Sequence, residues 1–326
     1  MMTEGSKIAF RQLMVRLGLQ KYAPEFDVYE DLQTAWELVK RRGAKKSVIK
    51  GDAFAGGKCV FLPEDEAEAR SIIDALAGGA CGGAGRRGLI EERIPVLYER
   101  SQFDGSNGST LCSLGLYQDF KRRLDGDQGP NTGSLGARTV RPPNREVAYK
   151  LQEVAHQIIW GLAREGHPYR GVSYLGWLFA SDSDFKLSEM NCRFGGGETE
   201  VLVHATSGGF LEMCFAMASG TRFKRTSLHT DVDALCVMLA SAEYPDESQR
   251  DDPIAGLPEA ESLGVKIFHA AAGDRDGALT TAKKGRILAI TESGKDRAEI
   301  ANRVYRAAEC INFPGKHFRK DPVCNW

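Results

Sequence analysis

Apolar residues recur at helical spacing over residues 6–18, where Ile8, Phe10, Leu13, Met14 and Leu17 share a face and Gly18 ends the run. A second helix is predicted at 31–41, stopped by Gly43. Residues 47–62, SVIKGDAFAGGKCVFL, read as strand, glycine loop, strand. A helix at about 64–76 carries Ile72, Ile73 and Leu76, and a glycine tract at 78–88 leads into the strand LIEERI, 89–94. Residues 96–118 suggest a hairpin with turns at Asp104-Gly105 and Asn107-Gly108. A loop dense in Gly, Asp, Asn and Pro follows at 125–137, a composition seldom used as filler. The clearest helix is 146–164, with Val147, Leu151, Val154, Ile158 and Leu162 on one side. Strands at 171–180 and 185–194 are joined by the turn Ser181–Asp184. Beyond Gly220, short strands at 234–241, 264–271 and 285–292 and a helix at about 295–310 form a separate α+β pattern.

The 326 residues exceed one core of usual size, so two or three packed subdomains are expected. Lysine and arginine total 43 against 44 acids, which removes any electrostatic case for nucleic acid or an anionic membrane. The apolar runs fall well short of the ~20 residues that span a bilayer. The N-terminus MMTEGSKIAF has no basic region followed by an apolar core, so a cytoplasmic location is expected. Eight cysteines stand at 59, 81, 112, 192, 214, 236, 310 and 324 without a C-x-x-C pair, and reduced, mostly buried thiols are expected.

Chemistry concentrates in LSEMNCRFGGGETEVL, 187–202. Glu189 and Asn191 are two apart in a predicted strand, so both project from one face. A carboxylate beside a carboxamide oxygen offers hard ligands of the kind Mg²⁺ takes, usually shared with nucleotide phosphates. Arg193, Gly195, Gly196, Gly197 and Glu198 follow, adding a cation and a pliable loop. The plain alternative is a strand ending in a glycine turn with two surface polars. The loop at 51–58 is not a P-loop: Asp52 stands where the first glycine of G-x₄-G-K-[S/T] belongs, and Cys59 replaces the hydroxyl. A loop without β-carbons can still close its N–H groups over phosphates, with Lys50 and Lys58 on either side; otherwise it is a hairpin turn with solvated lysines. LIEERI can line a nucleotide cleft or serve as an edge strand with exposed glutamates.

Taken in order, these segments resemble the ATP-grasp ligases, and within them the glycinamide ribonucleotide synthetase (phosphoribosylamine–glycine ligase) family of the purine pathway. The resemblance rests on GSK at 5–7, VIKGDAFAGGK at 48–58, IEE at 90–92 and QDFKRRLDGDQGPNTGSLGA at 118–137. It continues through YRGVSYLG at 169–176, EMNCRFGGGETEVL at 189–202, GLPEAESLGVKIFHA at 256–270, GRILAIT at 285–291 and NFPGKHFRKD at 312–321. It implies an α+β fold: an ATP-grasp domain over 1–220, in which about 24–90 form a subdomain with a glycine flap and 1–23 with 91–220 the remainder, then a small C-terminal α+β domain over 221–326.

The resemblance also implies ATP as substrate with Mg²⁺ or Mn²⁺, the metal on Glu189 and Asn191. Lys7, Lys50, Gly56, Gly57 and Lys58 would hold the phosphates, and Glu91, Glu92 and Ile94 the adenine hinge. Arg193 would neutralise the transferring phosphoryl group, while Asp127 and Asn131 would meet the substrates from the loop 125–136. Family members phosphorylate the glycine carboxylate and let an amine capture the acyl phosphate. Three departures stand out. The family's RFGDPE is Arg193-Phe194-Gly195-Gly196-Gly197-Glu198 here, and the hinge is followed by IPVLYERSQ where the family has D-G-E-E. A Rossmann-like domain precedes GSK in the family, whereas here GSK stands at 5–7. These departures imply either a partner polypeptide supplying that domain or an amine acceptor other than phosphoribosylamine. Self-association through an apolar face near 8–17 is a further expectation, and an inactive nucleotide-binding homologue is the remaining alternative.

Overall fold

Short polar side chains set where the helices begin. The computed structural model describes residues 2–52, 59–83, 85–206, 208–223, 232–246, 251–282, 285–324 and 326. After α1 (Met2–Gly5), Ser6 caps α2 (Lys7–Arg16) by accepting from the Ala9 N–H. Strand β1 (Phe26–Tyr29) leads to α3 (Leu32–Arg42), capped by Asp31 through the Thr34 N–H. Then come β2 (Ser47–Gly51), β3 (Val60–Phe61), α4 (Glu66–Ala77) capped by Asp65, β4 (Ala80–Gly83) and β5 (Gly88–Glu92). The middle of the chain supplies β6 (Tyr98–Asn107), β7 (Leu111–Asp119), β8 (Arg122–Leu124), β9 (Gln128–Asn131) and β10 (Gly136–Val140). Helix α5 (Arg145–Arg164), capped by Asn144, precedes β11 (Arg170–Phe179) and β12 (Phe185–Asn191). The rest comprises α6 (Glu198–Ala205), α7 (Phe210–Ser219), β13 (Asp233–Ala240), α8 (Leu257–Glu261), β14 (Lys266–His269), β15 (Ala272–Arg275), β16 (Ala278–Thr281), β17 (Arg286–Gly294) and α9 (Arg297–Cys310).

The chain divides into two compact units, the first comprising Met1–Arg100, Gly108–Leu111 and Pro143–Arg193. In it an antiparallel sheet of order β1-β5-β2-β3 packs against α3 and α4 around Tyr29, Ala35, Val39, Ile49, Ile73, Leu76 and Ile90. Burying each of the Val, Leu and Ile side chains among these contributes about 1.5–3 kcal/mol. In the same unit β11 and β12 form an antiparallel pair that sets Gly176 opposite Glu189 and Tyr174 opposite Asn191.

The second unit comprises Ser101–Asn107, Cys112–Pro142 and Phe194–Trp326. Its sheet runs β7-β10-β13-β17-β14, and α9 covers a core of Leu235, Val237, Leu239, Ile287, Ile290, Ile300 and Val304. β13 and β17, the long strands at the middle of this sheet, carry runs of buried residues.

Several expectations are corrected. No turn forms at Asp104-Gly105: β6 runs through it to Asn107. Glycine at 105 leaves room for the Met217 side chain: a Cβ there would lie 2.9 Å from its sulfur, which would have to shift. The loop at 125–137 is partly a ribbon, with β8 paired to β9. Cys59 and Cys81 are joined in a disulfide, against the expectation of reduced thiols, because α4 folds back to bring their Cα atoms to 5.9 Å across 22 residues. Cys310 and Cys324 are exposed rather than buried. On the apolar face near 8–17, Ile8, Phe10, Leu13 and Met14 are at most 2 % exposed, while Val15 is 48 % exposed. No single helix among the described residues is long and apolar enough to cross a membrane.

Candidate active site

Strand alternation places Glu189 and Asn191 side by side, as their spacing predicts, with the Asn191 amide donating to Glu189 Oε1 at 3.0 Å. Space for the Glu189 stem comes from β11: a Cβ at the facing Gly176 would lie 3.3 Å from Glu189 Cγ. Arg193 Nη2 donates to Asn191 Oδ1 at 3.5 Å, and Glu4 holds the same turn, accepting from Arg193 Nε at 3.2 Å and the Cys192 N–H at 3.1 Å. Arg193 is therefore present beside the pair but already shared with a carboxylate.

Lysines converge from two other elements of the same unit. Lys7, at the start of α2, donates to the Gly51 carbonyl at 3.2 Å. Burial lowers its pKa, Glu189 opposes that shift, and Lys50 reinforces it. The serine of GSK has two roles: Ser6 caps α2 and donates to Asp52 at 2.9 Å, while the Ile8 N–H donates to the same carboxylate at 3.1 Å. Asp52 thereby anchors the beginning of α2 to the strand end that launches the glycine loop. Gly56, Gly57 and Lys58 of that loop lie outside the described residues.

Glu91 is fully enclosed, and its two oxygens are divided between cations: Arg11 Nε at 2.6 Å and Lys50 Nζ at 2.7 Å. Burial would raise its pKa, but Arg11 and Lys50 outweigh that and hold it down at about 2. Arg11 directs its remaining donors to the Leu187 and Ser188 carbonyls, at 3.0 and 2.7 Å, which fixes β12 just before Glu189. The buried Arg11–Glu91–Lys50 triad thus ties β5 and β2 to the strand bearing the proposed metal pair. Glu92 and Ile94, the other hinge candidates, are only partly buried, and the Glu25 N–H reaches Glu92 at 3.5 Å.

In the second unit, Asp127 is held by Arg319, whose Nη1 donates to Oδ1 at 2.7 Å. Arg319 is itself completely buried and also grips Asp321 and the Arg122 carbonyl. Asn131 is exposed on β9, across the ribbon from Arg122. Glu198, at the start of α6, is buried and accepts from Ser101 Oγ at 2.9 Å. Its pKa is pushed up to about 8 by burial and then by Asp119, so the acid is largely protonated near neutrality.

Two oxygen ligands suffice for Mg²⁺ only where phosphates and water complete the shell. Among the described residues no group of three or more His, Cys, Asp or Glu could hold a metal, so Glu189 and Asn191 fit a nucleotide-shared ion rather than an all-protein cage. Arg11, Glu4, Asp52, Glu198 and Arg319 were not singled out by sequence reasoning for the parts they play. Glu198 had a signal in its place at the end of RFGGGE.

Residues 5–199 match the family described as phosphoribosylglycinamide synthetase, ATP-grasp (A) domain, and residues 234–322 match its C domain. The chain belongs to the phosphoribosylglycinamide synthetase family. A relative, phosphoribosylamine–glycine ligase of Yersinia pestis, is 34 % identical over 323 residues, covering 98 % of this chain and 74 % of the relative. The crystal structure of the Thermotoga maritima phosphoribosylamine–glycine ligase superposes with a TM-score of 0.88 at 30 % identity, covering 97 % of this chain and 78 % of that one. The biotin carboxylase domain of Hydrogenobacter thermophilus 2-oxoglutarate carboxylase, solved with MgADP and bicarbonate, shares the fold at TM-score 0.69 and 16 % identity, covering 97 % and 68 %. As a member of the phosphoribosylglycinamide synthetase family the chain is an ATP-grasp, ADP-forming ligase with an α+β fold.

Proposed function

We propose that the chain joins a small amino acid, glycine by its family, to an amine through an acyl phosphate, with ATP supplying the phosphoryl group. The observation that carries this reading is the Glu189–Asn191 pair on one face of β12, with Lys7 close enough for Glu189 to oppose the lowering of its pKa. A bound Mg²⁺ would be held by those two side chains and would offset charge on the phosphates. Carboxylates are poor electrophiles, so phosphorylation supplies the leaving group, and the protein's work is positioning and charge neutralisation. Lys7 offers positive charge to the phosphates. Lys50 reinforces it while its own place is fixed by Glu91. Arg193 can turn from Glu4 toward the transferring group, its exposure leaving it room.

Glu189→Ala and Lys50→Ala are each expected to abolish ATP-dependent ADP release while circular dichroism stays native. Retained turnover in either folded variant rejects the assignment. The Gly196-Gly197 replacement favours an acceptor other than phosphoribosylamine, such as an amine on a nucleoside, a modified base or a specialised metabolite. The coverage of phosphoribosylamine–glycine ligases favours phosphoribosylamine itself. ADP release measured against a panel of amino acids and amines, phosphoribosylamine included, separates the two, and the product mass names the acceptor.

A further inference from the structure

The Arg286 guanidinium sits against two glycines from two loops of the second unit. A Cβ built at Gly196 would lie 2.3 Å from Arg286 Nη1, and one at Gly133 would lie 3.3 Å from its Cζ. The side chain starts from β17, where pairing of Arg286 with Ala240 and a hydrogen bond from the Ala271 N–H fix its backbone. Nη1 donates to the Gly133 carbonyl, whose own residue's N–H donates to Tyr244 Oη at 2.7 Å. A guanidinium carries five donors in a planar fork, and that one carbonyl does not neutralise its charge. No carboxylate among the described residues pairs with it.

We propose that Arg286 is an oxyanion-binding residue that determines substrate specificity, its fork left open to a carboxylate or phosphate because residue 196 is glycine. The proposal rests on the ligase reading above. Two features separate it from a loop staple. The position facing the fork carries no side chain, and a staple to Gly133 needs only one of the five donors. An aspartate at 196, as the family motif quoted above carries, would place its carboxylate on the guanidinium and compete with any substrate anion. The oxyanion has two sources in this reaction class: the carboxylate of the donor amino acid, or a phosphate on the acceptor.

Three variants test this. Arg286→Ala is expected to raise the KM of the anion-bearing substrate about 10- to 100-fold, the size expected for hydrogen bonds to a charged group, with the KM for ATP within about twofold. Arg286→Lys keeps the charge without the fork and is expected to recover part of that loss. Gly196→Asp is expected to reproduce the Arg286→Ala effect with the arginine present. The clash it creates is with the far end of a flexible side chain, so the variant is expected to fold, which circular dichroism checks. Calorimetric binding of glycine alone and of ribose 5-phosphate alone, compared between wild type and Arg286→Ala, identifies the source by which probe loses affinity. Variants that lose only thermal stability, with every KM and both affinities unchanged, overturn the proposal, as does a wild type that binds neither probe. Because binding is read without turnover, a wild type that binds a probe through Arg286 but releases no ADP rejects the ligase reading while leaving this one standing.

Discussion

Two buried carboxylates in this chain are held in opposite states of charge, and each makes stability depend on pH in its own direction. Glu91 is depressed to about 2 because Arg11 and Lys50 outweigh the cost of its burial. Its contribution is therefore present above the ordinary value of 4.5 and is lost as pH falls toward 2. Removing the charge by Glu91→Gln leaves two buried cations without their partner. A loss of about 3–5 kcal/mol is expected, read as a lower urea midpoint at unchanged slope. Glu198 works the other way. Raised to about 8 by burial and Asp119, it stabilises the fold below 4.5, and that contribution is lost as pH climbs through 8. Glu198→Gln mimics the protonated acid. Its urea midpoint is expected to lack the decline that the wild type shows between pH 4.5 and 8. A variant whose profile parallels the wild type would show that Glu198 ionises freely.

At the scale of elements, what could be read in the chain was whatever has a short period. Glu189 and Asn191 are two residues apart in a strand, and that spacing alone puts them together. Helices α2, α4, α5 and α9 announce themselves through the spacing of their apolar residues. Partnerships across the fold were not legible. Lys50 meets Glu91 because β2 pairs with β5 in a register that sets Val48 opposite Glu91, and no local rule fixes that register. Nothing in the local sequence marks Arg11, yet the fold turns it inward to a carboxylate and two carbonyls. The Cys59–Cys81 disulfide was missed for the same reason: helix α4 carries the second cysteine back across 22 residues. Closing a loop of that size removes disorder from the unfolded chain. Reduction by a dithiol, or Cys81→Ser, is therefore expected to cost about 3 kcal/mol in urea melts. Equal midpoints with and without reductant would show that the bond is not formed in solution.

For the molecule as a whole, ligand binding and folding are one equilibrium. Anything that binds the folded chain and not the unfolded one stabilises it by RT ln(1 + [L]/Kd), about 2.7 kcal/mol at a hundredfold excess over Kd. The proposed metal pair on β12 would supply only two ligands, so the ion and the nucleotide would need each other, and neither alone should give the full increment. Thermal unfolding is expected to shift upward with ATP and Mg²⁺ together and much less with either one. Glu189→Gln keeps the shape of the side chain and removes its charge, so it is expected to melt like the wild type in buffer and to lose most of the joint shift. The Arg11–Glu91–Lys50 triad would still hold β2, β5 and β12 in place in that variant, because none of its hydrogen bonds involves Glu189. A joint shift that survives Glu189→Gln intact would place the ion elsewhere and remove the physical basis for assigning phosphoryl transfer to this strand.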